Sequence, residues 1–208
     1  MNFTKYLHKR KHYVLFTILL IGLAHVSAQD RDKEFKFQYD PKDLVMESLF
    51  QKIYVLDSRK DTTHYGIINK GFFGQSAKVV ANPSLETQIQ NYLEIITLES
   101  TQKDTLLLQI RRLSFSEIGG GLKEKGFFDF RAELFVKDQF NSYQKLASID
   151  TSHVNKGMDV TKGLLRHASW IVTDFLKDNL NRLPSDTTRY NIAQISDFEN
   201  LEKAKTPL

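Results

Sequence analysis

The stretch from Phe127 to Val136, FFDFRAELFV, alternates apolar and polar side chains. This alternation predicts a β-strand, because successive side chains of a strand point to opposite faces of its sheet. The apolar face carries Phe128, Phe130, Ala132, Leu134 and Val136, and the other face carries Asp129, Arg131 and Glu133. The strand is therefore expected in a sheet that has one face on a core and one more polar face.

Other periodic segments predict the rest of the fold. Three further strands are expected, at Phe50–Asp57, Thr105–Phe115 and Tyr143–Ile149, and a short strand around Tyr65–Ile68 is an optional fifth. Two helices are expected, one after Ser84 as its N-cap and one from about Val160 to Asn181. Strands that follow one another in runs favour an α+β fold. We expect a four- to five-stranded, mostly antiparallel sheet with two helices packed on one face.

The first 28 residues predict a cleavable secretory signal peptide. Basic residues precede the apolar run Tyr13–Leu23, and Val26-Ser27-Ala28 supplies the small residues of a cleavage site before Gln29. The run is shorter than the roughly 20 residues of a membrane-spanning helix. An uncleaved anchor is the alternative, and it leaves the domain on the same side of the membrane. We expect a periplasmic or secreted protein.

The signal peptide divides the chain into four parts. Residues 1–28 are the signal, 29–49 a charged lead-in, 50–181 the α+β domain and 182–208 a C-terminal extension. No apolar run in the mature chain is long enough to span a membrane.

The positive charge of the chain lies in the predicted signal. The sequence has 29 Lys and Arg against 25 Asp and Glu, a net charge of +4. Lys5, Lys9, Arg10 and Lys11 lie in the signal, which has no acidic residue, so the mature chain is neutral. The basic pI therefore gives no reason to expect a nucleic-acid partner. The absence of cysteine excludes disulfides, thiolate metal sites, cysteine nucleophiles and a lipid-modified N-terminal cysteine.

No segment carries a complete catalytic or metal-binding motif. The histidines of the mature chain are His64, His153 and His167, and no two of them have the spacing of three or four residues that is typical of ligands on one helix. We predict that they are isolated. Gly74-Gln75-Ser76 lacks the second glycine of a nucleophile elbow. We expect no cofactor and no enzymatic activity, and a hydrolase with scattered Ser, His and Asp residues is the remaining enzymatic alternative.

Three aromatic residues are candidate contacts for a partner. Trp170 lies on the polar side of the second predicted helix, so either the C-terminal segment around Tyr190 covers it or it is a protein-binding hot spot. Phe72 and Phe73 lie between glycines in a predicted loop. There they either contact a partner or an apolar ligand, or plug the edge of the sheet.

The strand that ends in Val55-Leu56-Asp57-Ser58-Arg59 is followed by Gly66 and Gly71 and then by the first predicted helix. Over residues 50–181 this order resembles the YajG-like lipoproteins and the auxiliary lipoproteins of ABC-type transport systems, with Asp57-x-Arg59 as the shared motif. The chain lacks the lipid-bearing cysteine, so lipid anchoring is not carried over. The resemblance implies a non-enzymatic periplasmic protein that serves envelope or lipid transport, and we expect Asp57 and Arg59 to form a structural or recognition pair.

Two functional hypotheses follow from these observations. The first is an exported, non-catalytic envelope protein that binds a partner protein or an envelope component, as an auxiliary of a transport system if the resemblance holds. The second is a periplasmic carrier of a lipid or another apolar ligand. Its binding cleft would lie between the Phe128 and Phe130 face and the helices.

Overall fold

The computed structural model describes residues 32–45, 47–70, 75–97, 104–120 and 123–197, which contain eight strands and three α-helices. The strands are β1 (Lys33–Phe35), β2 (Phe50–Asp57), β3 (Gly66–Lys70), β4 (Gln75–Ala81), β5 (Asp104–Gly120), β6 (Lys123–Lys137), β7 (Tyr143–Gly157) and β8 (Arg189–Tyr190). The helices are α1 (Leu85–Ile96), α2 (Thr161–Lys177) and α3 (Ile192–Ser196). Within the described ranges, no helix combines the length and the apolar character that crossing a bilayer requires.

The eight strands form one mixed sheet. Its order is β1-β4-β3-β5-β6-β7-β8, and β2 also pairs with β5. The β1–β4, β2–β5 and β3–β5 pairs are parallel, and the other pairs are antiparallel. The prediction of a four- to five-stranded, mostly antiparallel sheet with two helices on one face is therefore wrong.

Two physical reasons account for this difference. The additional strands β1, β4 and β8 lie in charged or turn-rich segments, and β1 and β8 are too short for side-chain periodicity to give a signal. β3 overlaps the optional short strand around Tyr65–Ile68. The parallel β2–β5 pair joins segments that α1 separates along the chain, and parallel strands need such a long crossover. This pair therefore forms only when the whole sheet assembles, and no local sequence pattern indicates it.

The long hairpins of the sheet match the sequence prediction more closely. β5 and β6 pair from Thr105–Lys137 to Gly120–Lys123, and β6 and β7 pair along almost their full length. Phe128, Phe130 and Leu134 on β6 are fully buried, which confirms the predicted apolar face. These three strands form the frame on which the other elements pack.

The core lies between this apolar face and the helices α1 and α2. The Phe128 ring is 4.9 Å from Phe115 and 6.2 Å from Phe130 between centroids, and Phe130 is 6.2 Å from Phe175 of α2. α1 begins after Ser84, whose Oγ accepts a hydrogen bond from the Thr87 backbone N–H at 3.2 Å, as predicted. Aromatic side chains therefore fill the space between the sheet and α2.

A second, smaller cluster covers part of the opposite face of the sheet. Leu107, Phe135, Tyr190 and Ile195 are buried together there. Gln109 Nε2 donates hydrogen bonds to the Ile195 carbonyl at 2.7 Å and to Ser58 Oγ at 3.1 Å. The segment of β8 and α3 is thus packed on the sheet beside the end of β2.

Candidate functional site

A gap along one edge of β5 forms a polar cleft. β2 pairs with β5 as far as Asp57–Ile110, and β3 begins to pair with it at Gly66–Phe115. The last contact on one side is Ser58 N–H to the Ile110 carbonyl at 2.9 Å, and the first on the other is Phe115 N–H to the Tyr65 carbonyl at 2.7 Å. Between them, no strand in the described part of the chain pairs with residues 111–114 on this side.

The gap has the size of a ligand-binding site. Its volume is about 570 Å³, which lies in the range of small-molecule pockets. Residues 111–114 line it, together with residues 58–61 and 64–66 of the loop that joins β2 to β3 and with Gln109, Ser196 and Asp197. We call this site the β5 cleft.

A β-bulge brings two adjacent arginines to the β5 cleft. The register between β5 and β6 shifts between Ile110 and Arg112, so Arg111 is an extra residue in its strand. Consecutive residues of a regular strand point to opposite faces, and a bulge changes these directions. Both Arg111 and Arg112 line the cleft. Arg111 Nη1 lies 3.7 Å from Oε1 of the buried Glu133, which also accepts a bond from Lys145 Nζ at 3.0 Å.

The predicted pair Asp57 and Arg59 forms, and it holds the loop of the cleft. Arg59 Nε donates to Asp57 Oδ1 at 2.9 Å and Nη2 donates to Oδ2 at 2.8 Å, a two-point contact. Arg59 Nη1 also donates to the His64 carbonyl at 2.8 Å, and the guanidinium lies 4.1 Å from the centre of the Tyr65 ring. The Arg59 side chain is only 6% exposed. It therefore joins the beginning of the loop to its end.

Further contacts fix the rest of the loop. Asp61 Oδ1 accepts bonds from the Thr63 hydroxyl at 2.6 Å and from the Thr63 backbone N–H at 2.9 Å, and these bonds lower the pKa of Asp61. His64 Nδ1 accepts a bond from the Gly66 N–H at 2.9 Å, so a neutral ring carries its proton on Nε2, which faces Asp61 at 3.5 Å. Burial raises the pKa of Tyr65, and the adjacent Arg59 charge opposes this shift. The loop is thus held in one conformation by its own side chains.

Some of the cations around the β5 cleft have a nearby carboxylate, and others do not. The Asp57 carboxylate pairs with Arg59, Glu133 lies beside Arg111, and the carboxylates of Asp61 and Asp197 also line the cleft. Lys60 and Arg112 also line the cleft and are exposed, and neither has a carboxylate partner within the described residues. Two cations are therefore accessible beside a rigid loop, and they can bind an oxyanion such as a carboxylate or a phosphate.

Arg59→Lys should lower the free energy of unfolding by about 1 to 2 kcal/mol, because an ammonium group cannot keep the two-point contact with Asp57 and the bond to the His64 carbonyl together. Urea denaturation measures this loss. Arg131→Lys is the matched control: Arg131 Nε lies 3.7 Å from the exposed Asp150, and such surface pairs contribute little. Equal losses in the two variants would contradict the role given to Arg59.

The second candidate contact, Trp170, is 43% exposed on α2. Its indole is edge-on to His167 at 5.2 Å, and the Arg166 guanidinium lies 5.2 Å from the ring centre. Tyr190 instead packs on Phe135 at 6.1 Å. The C-terminal segment around Tyr190 therefore lies on the other face of the sheet, and the described chain leaves Trp170 accessible.

The rings of two of the histidines are in contact. The rings of His153 on β7 and His167 on α2 are 4.6 Å apart, so the prediction of isolated histidines is wrong for this pair. The packing of a helix on a strand brings them together, and sequence spacing does not show it. The described residues contain no group of three or more His, Asp or Glu side chains arranged for a metal ion.

Some of the predicted site residues lie together at the β5 cleft, and others lie elsewhere. Asp57 and Arg59 lie together beside the β5 cleft, whereas Trp170 lies on α2, away from its lining. Phe72 and Phe73 lie outside the described residues. Sequence reasoning missed Lys60, Arg111 and Arg112. The available signal was the pair of adjacent arginines within an otherwise apolar strand.

No protein family model and no curated protein matches the chain. Among solved structures, it is similar to the crystal structure of protein XCC0632 from Xanthomonas campestris, of the DUF330 family. The TM-score is 0.42 and the sequence identity is 12%, over 83% of this chain and 99% of that chain. A likeness of this degree supports no conclusion about family or function.

Proposed function

We propose that the chain is an exported, non-catalytic protein of the bacterial envelope, and that it binds an anionic group in the β5 cleft. The observation that carries the proposal is the position of Lys60 and Arg112, two exposed cations on a cleft whose loop is held rigid by Asp57 and Arg59. A rigid loop reduces the entropy that a site loses when it orders around a ligand. The signal-like N-terminus supports export.

The chemistry of the cleft favours binding over catalysis. His64 is the imidazole in its lining, and its nitrogens face the Gly66 N–H and Asp61 rather than a hydroxyl group. Ser58 Oγ accepts a bond from the Gln109 amide. No serine in the described lining is thus paired with a histidine base, the arrangement that an activated nucleophile requires.

The ligand class follows from the donors in the cleft. An arginine guanidinium matches the geometry of a carboxylate or phosphate with two parallel bonds, and a lysine adds a point charge. The Ser114 hydroxyl also lines the cleft and can donate to a further oxygen, whereas the Ser196 hydroxyl donates to the Ile192 carbonyl at 2.8 Å. The anionic group can belong to a free small molecule or to an acidic side chain of an envelope partner, including a component of a transport system.

The carrier hypothesis receives less support. Its ligand would lie between the Phe128 and Phe130 face and the helices, and both side chains are fully buried against Phe115 and Phe175. A ligand in that place would have to displace packed aromatic rings. The β5 cleft is lined by charged and polar residues for the most part, which does not suit a lipid tail.

Thermal denaturation of residues 29–208 in the presence of inorganic phosphate or the dicarboxylate glutarate tests the proposal. Either anion should raise the midpoint temperature of unfolding of this chain, because the anion binds the folded state. Lys60→Glu and Arg112→Glu should each weaken this binding about tenfold or more, since a hydrogen bond to a charged group is lost.

Lys162→Glu is the matched control for these variants. Lys162 is exposed on α2 and does not line the cleft, yet its substitution changes the net charge by the same amount. The control should respond to both anions as the parent chain does. An equal loss in all three variants would show a nonspecific charge effect, and no response of the parent chain to either anion would contradict anion binding.

A further inference from the structure

The strand β7 has an open edge. It pairs with β6 along one side, but on its other side only Tyr143 and Gln144 pair with β8. In the described part of the chain, residues 145–157 therefore have no neighbouring strand on that side. An exposed strand edge presents a row of backbone donors and acceptors to another strand.

The edge carries few of the features that usually prevent pairing. The segment 147–156 contains no proline, and its register with β6 shifts only at its beginning, opposite Leu134 and Phe135. Its charged residues are Asp150 and Lys156. Charges, prolines and bulges are the common means by which a protein blocks such an edge. Most of this edge is thus competent for pairing.

The two charges are complementary when the strand pairs with a copy of itself. In an antiparallel pair centred on His153, Asp150 of each copy lies directly opposite Lys156 of the other. Opposite charges at facing positions stabilise strand pairs. Asp150 is 63% exposed although its Oδ2 lies 3.7 Å from Arg131 Nε, and Lys156 is exposed, so both can take part.

A shift of this register removes the complementarity. Moving the centre by one residue, to Ser152, places Asp150 opposite Val154 and Lys156 opposite Ser148, so neither charge faces an opposite charge. Moving it by two, to Thr151, places Asp150 opposite Ser152 and Lys156 opposite Leu146. The charge pattern therefore selects the register centred on His153.

The accessible tryptophan lies close to the same centre. His153 faces α2, because its ring contacts His167 at 4.6 Å, and His167 contacts Trp170 at 5.2 Å. A two-fold axis through His153 brings the Trp170 regions of two copies toward each other on the helix side of the sheet. Tryptophan is among the residues that most often dominate interface energies.

We propose that the mature chain forms a symmetric dimer in which β7 pairs antiparallel with β7 of a second copy, centred on His153. The two sheets join into one continuous sheet, and the Asp150–Lys156 pairs form twice because the interface is self-complementary. The β5 cleft lies on the far side of β5, two strands from this edge. The dimer is therefore a separate property from anion binding and can be tested without a ligand.

Sedimentation velocity of residues 29–208 over a range of concentrations tests the dimer. The parent chain should sediment as a dimer that dissociates on dilution. Asp150→Lys should raise the dissociation constant about tenfold or more, because two attractive pairs become two repulsive ones. The double variant Asp150→Lys with Lys156→Asp should restore the dimer, since the pairs form again with exchanged signs.

Fluorescence gives a second readout, because Trp170 is the only tryptophan of the chain. Its emission should shift to longer wavelength on dilution of the parent chain, and Asp150→Lys should show the shifted spectrum at all concentrations while keeping its circular dichroism. If the parent chain is monomeric at every concentration, the proposal is wrong, and the β7 edge would then be available to a strand of another protein. A dimer that Asp150→Lys does not weaken, or that the double variant does not restore, overturns it as well.

Discussion

Replacing Phe128 with alanine is expected to lower the free energy of unfolding by about 3 to 5 kcal/mol, the usual cost of removing a buried phenylalanine. Phe128 is fully buried, and its ring lies between Phe115 at 4.9 Å and Phe130 at 6.2 Å. Strands β5 and β6 hold both neighbours, so the structure cannot easily collapse into the space that the ring leaves. Urea denaturation, followed by Trp170 fluorescence, measures the loss.

Phe140→Ala is the matched control for this substitution. Phe140 lies in the turn between β6 and β7 and is 73% exposed, so its removal should change the stability by less than about 0.5 kcal/mol. A loss near this small value for Phe128→Ala would mean that the face between sheet and helices has room to adjust. The lipid-carrier hypothesis would then regain support.

Gly66→Ala is expected to lower the free energy of unfolding by about 3 kcal/mol or more. Gly66 begins β3 with φ at +118°, a region that side chains with a Cβ rarely adopt. A Cβ at this position would lie 1.9 Å from the Phe115 carbonyl oxygen and 2.8 Å from the Phe115 nitrogen. Because both are backbone atoms, β3 would have to move away from β5.

Gly157→Ala separates this clash from a general effect of adding a methyl group. The nearest atom to a Cβ at Gly157 belongs to Val160 at 3.8 Å, which is ordinary contact, so this variant should lose less than about 1 kcal/mol. Gly66→Ala should also weaken anion binding, because Gly66 lines the β5 cleft. Similar stability of the two variants would contradict the close pairing of β3 with β5.

The elements with strong local signals were predictable from the sequence. Phe50–Asp57 has the bounds of β2, the alternation of residues 127–136 identifies β6, and Ser84 caps α1. In each case a run of side chains or a single capping group is sufficient to determine the local structure. The buried Phe128 and Phe130 face follows from the same alternation.

The order of the strands was not predictable in this way. β3 pairs with β4 antiparallel and with β5 parallel, and these pairings join segments separated by α1 or by turns. Side-chain periodicity specifies the faces of a strand but not its neighbours. The short β8 carries only two residues, and its position depends on the packing of Tyr190 against Phe135.

The candidate site was predictable in part for a similar reason. Asp57 and Arg59 follow a strand and lie two residues apart, so their contact is local. Arg111 and Arg112 reach the β5 cleft because a bulge changes the direction of their side chains. No residue type marks a bulge of this kind in advance. The position of the bulge depends on the register between β5 and β6.

The central claim is that the β5 cleft binds an anionic group. Titration of ¹⁵N-labelled residues 29–208 with phosphate and glutarate, followed by the backbone amide shifts, tests it most directly. Anion binding in the β5 cleft predicts saturable shifts that concentrate in residues 58–66, 111–114 and 196–197 and that Arg112→Glu removes. Shifts that concentrate on another surface, or that spread evenly over the exposed lysines without saturation, would contradict it.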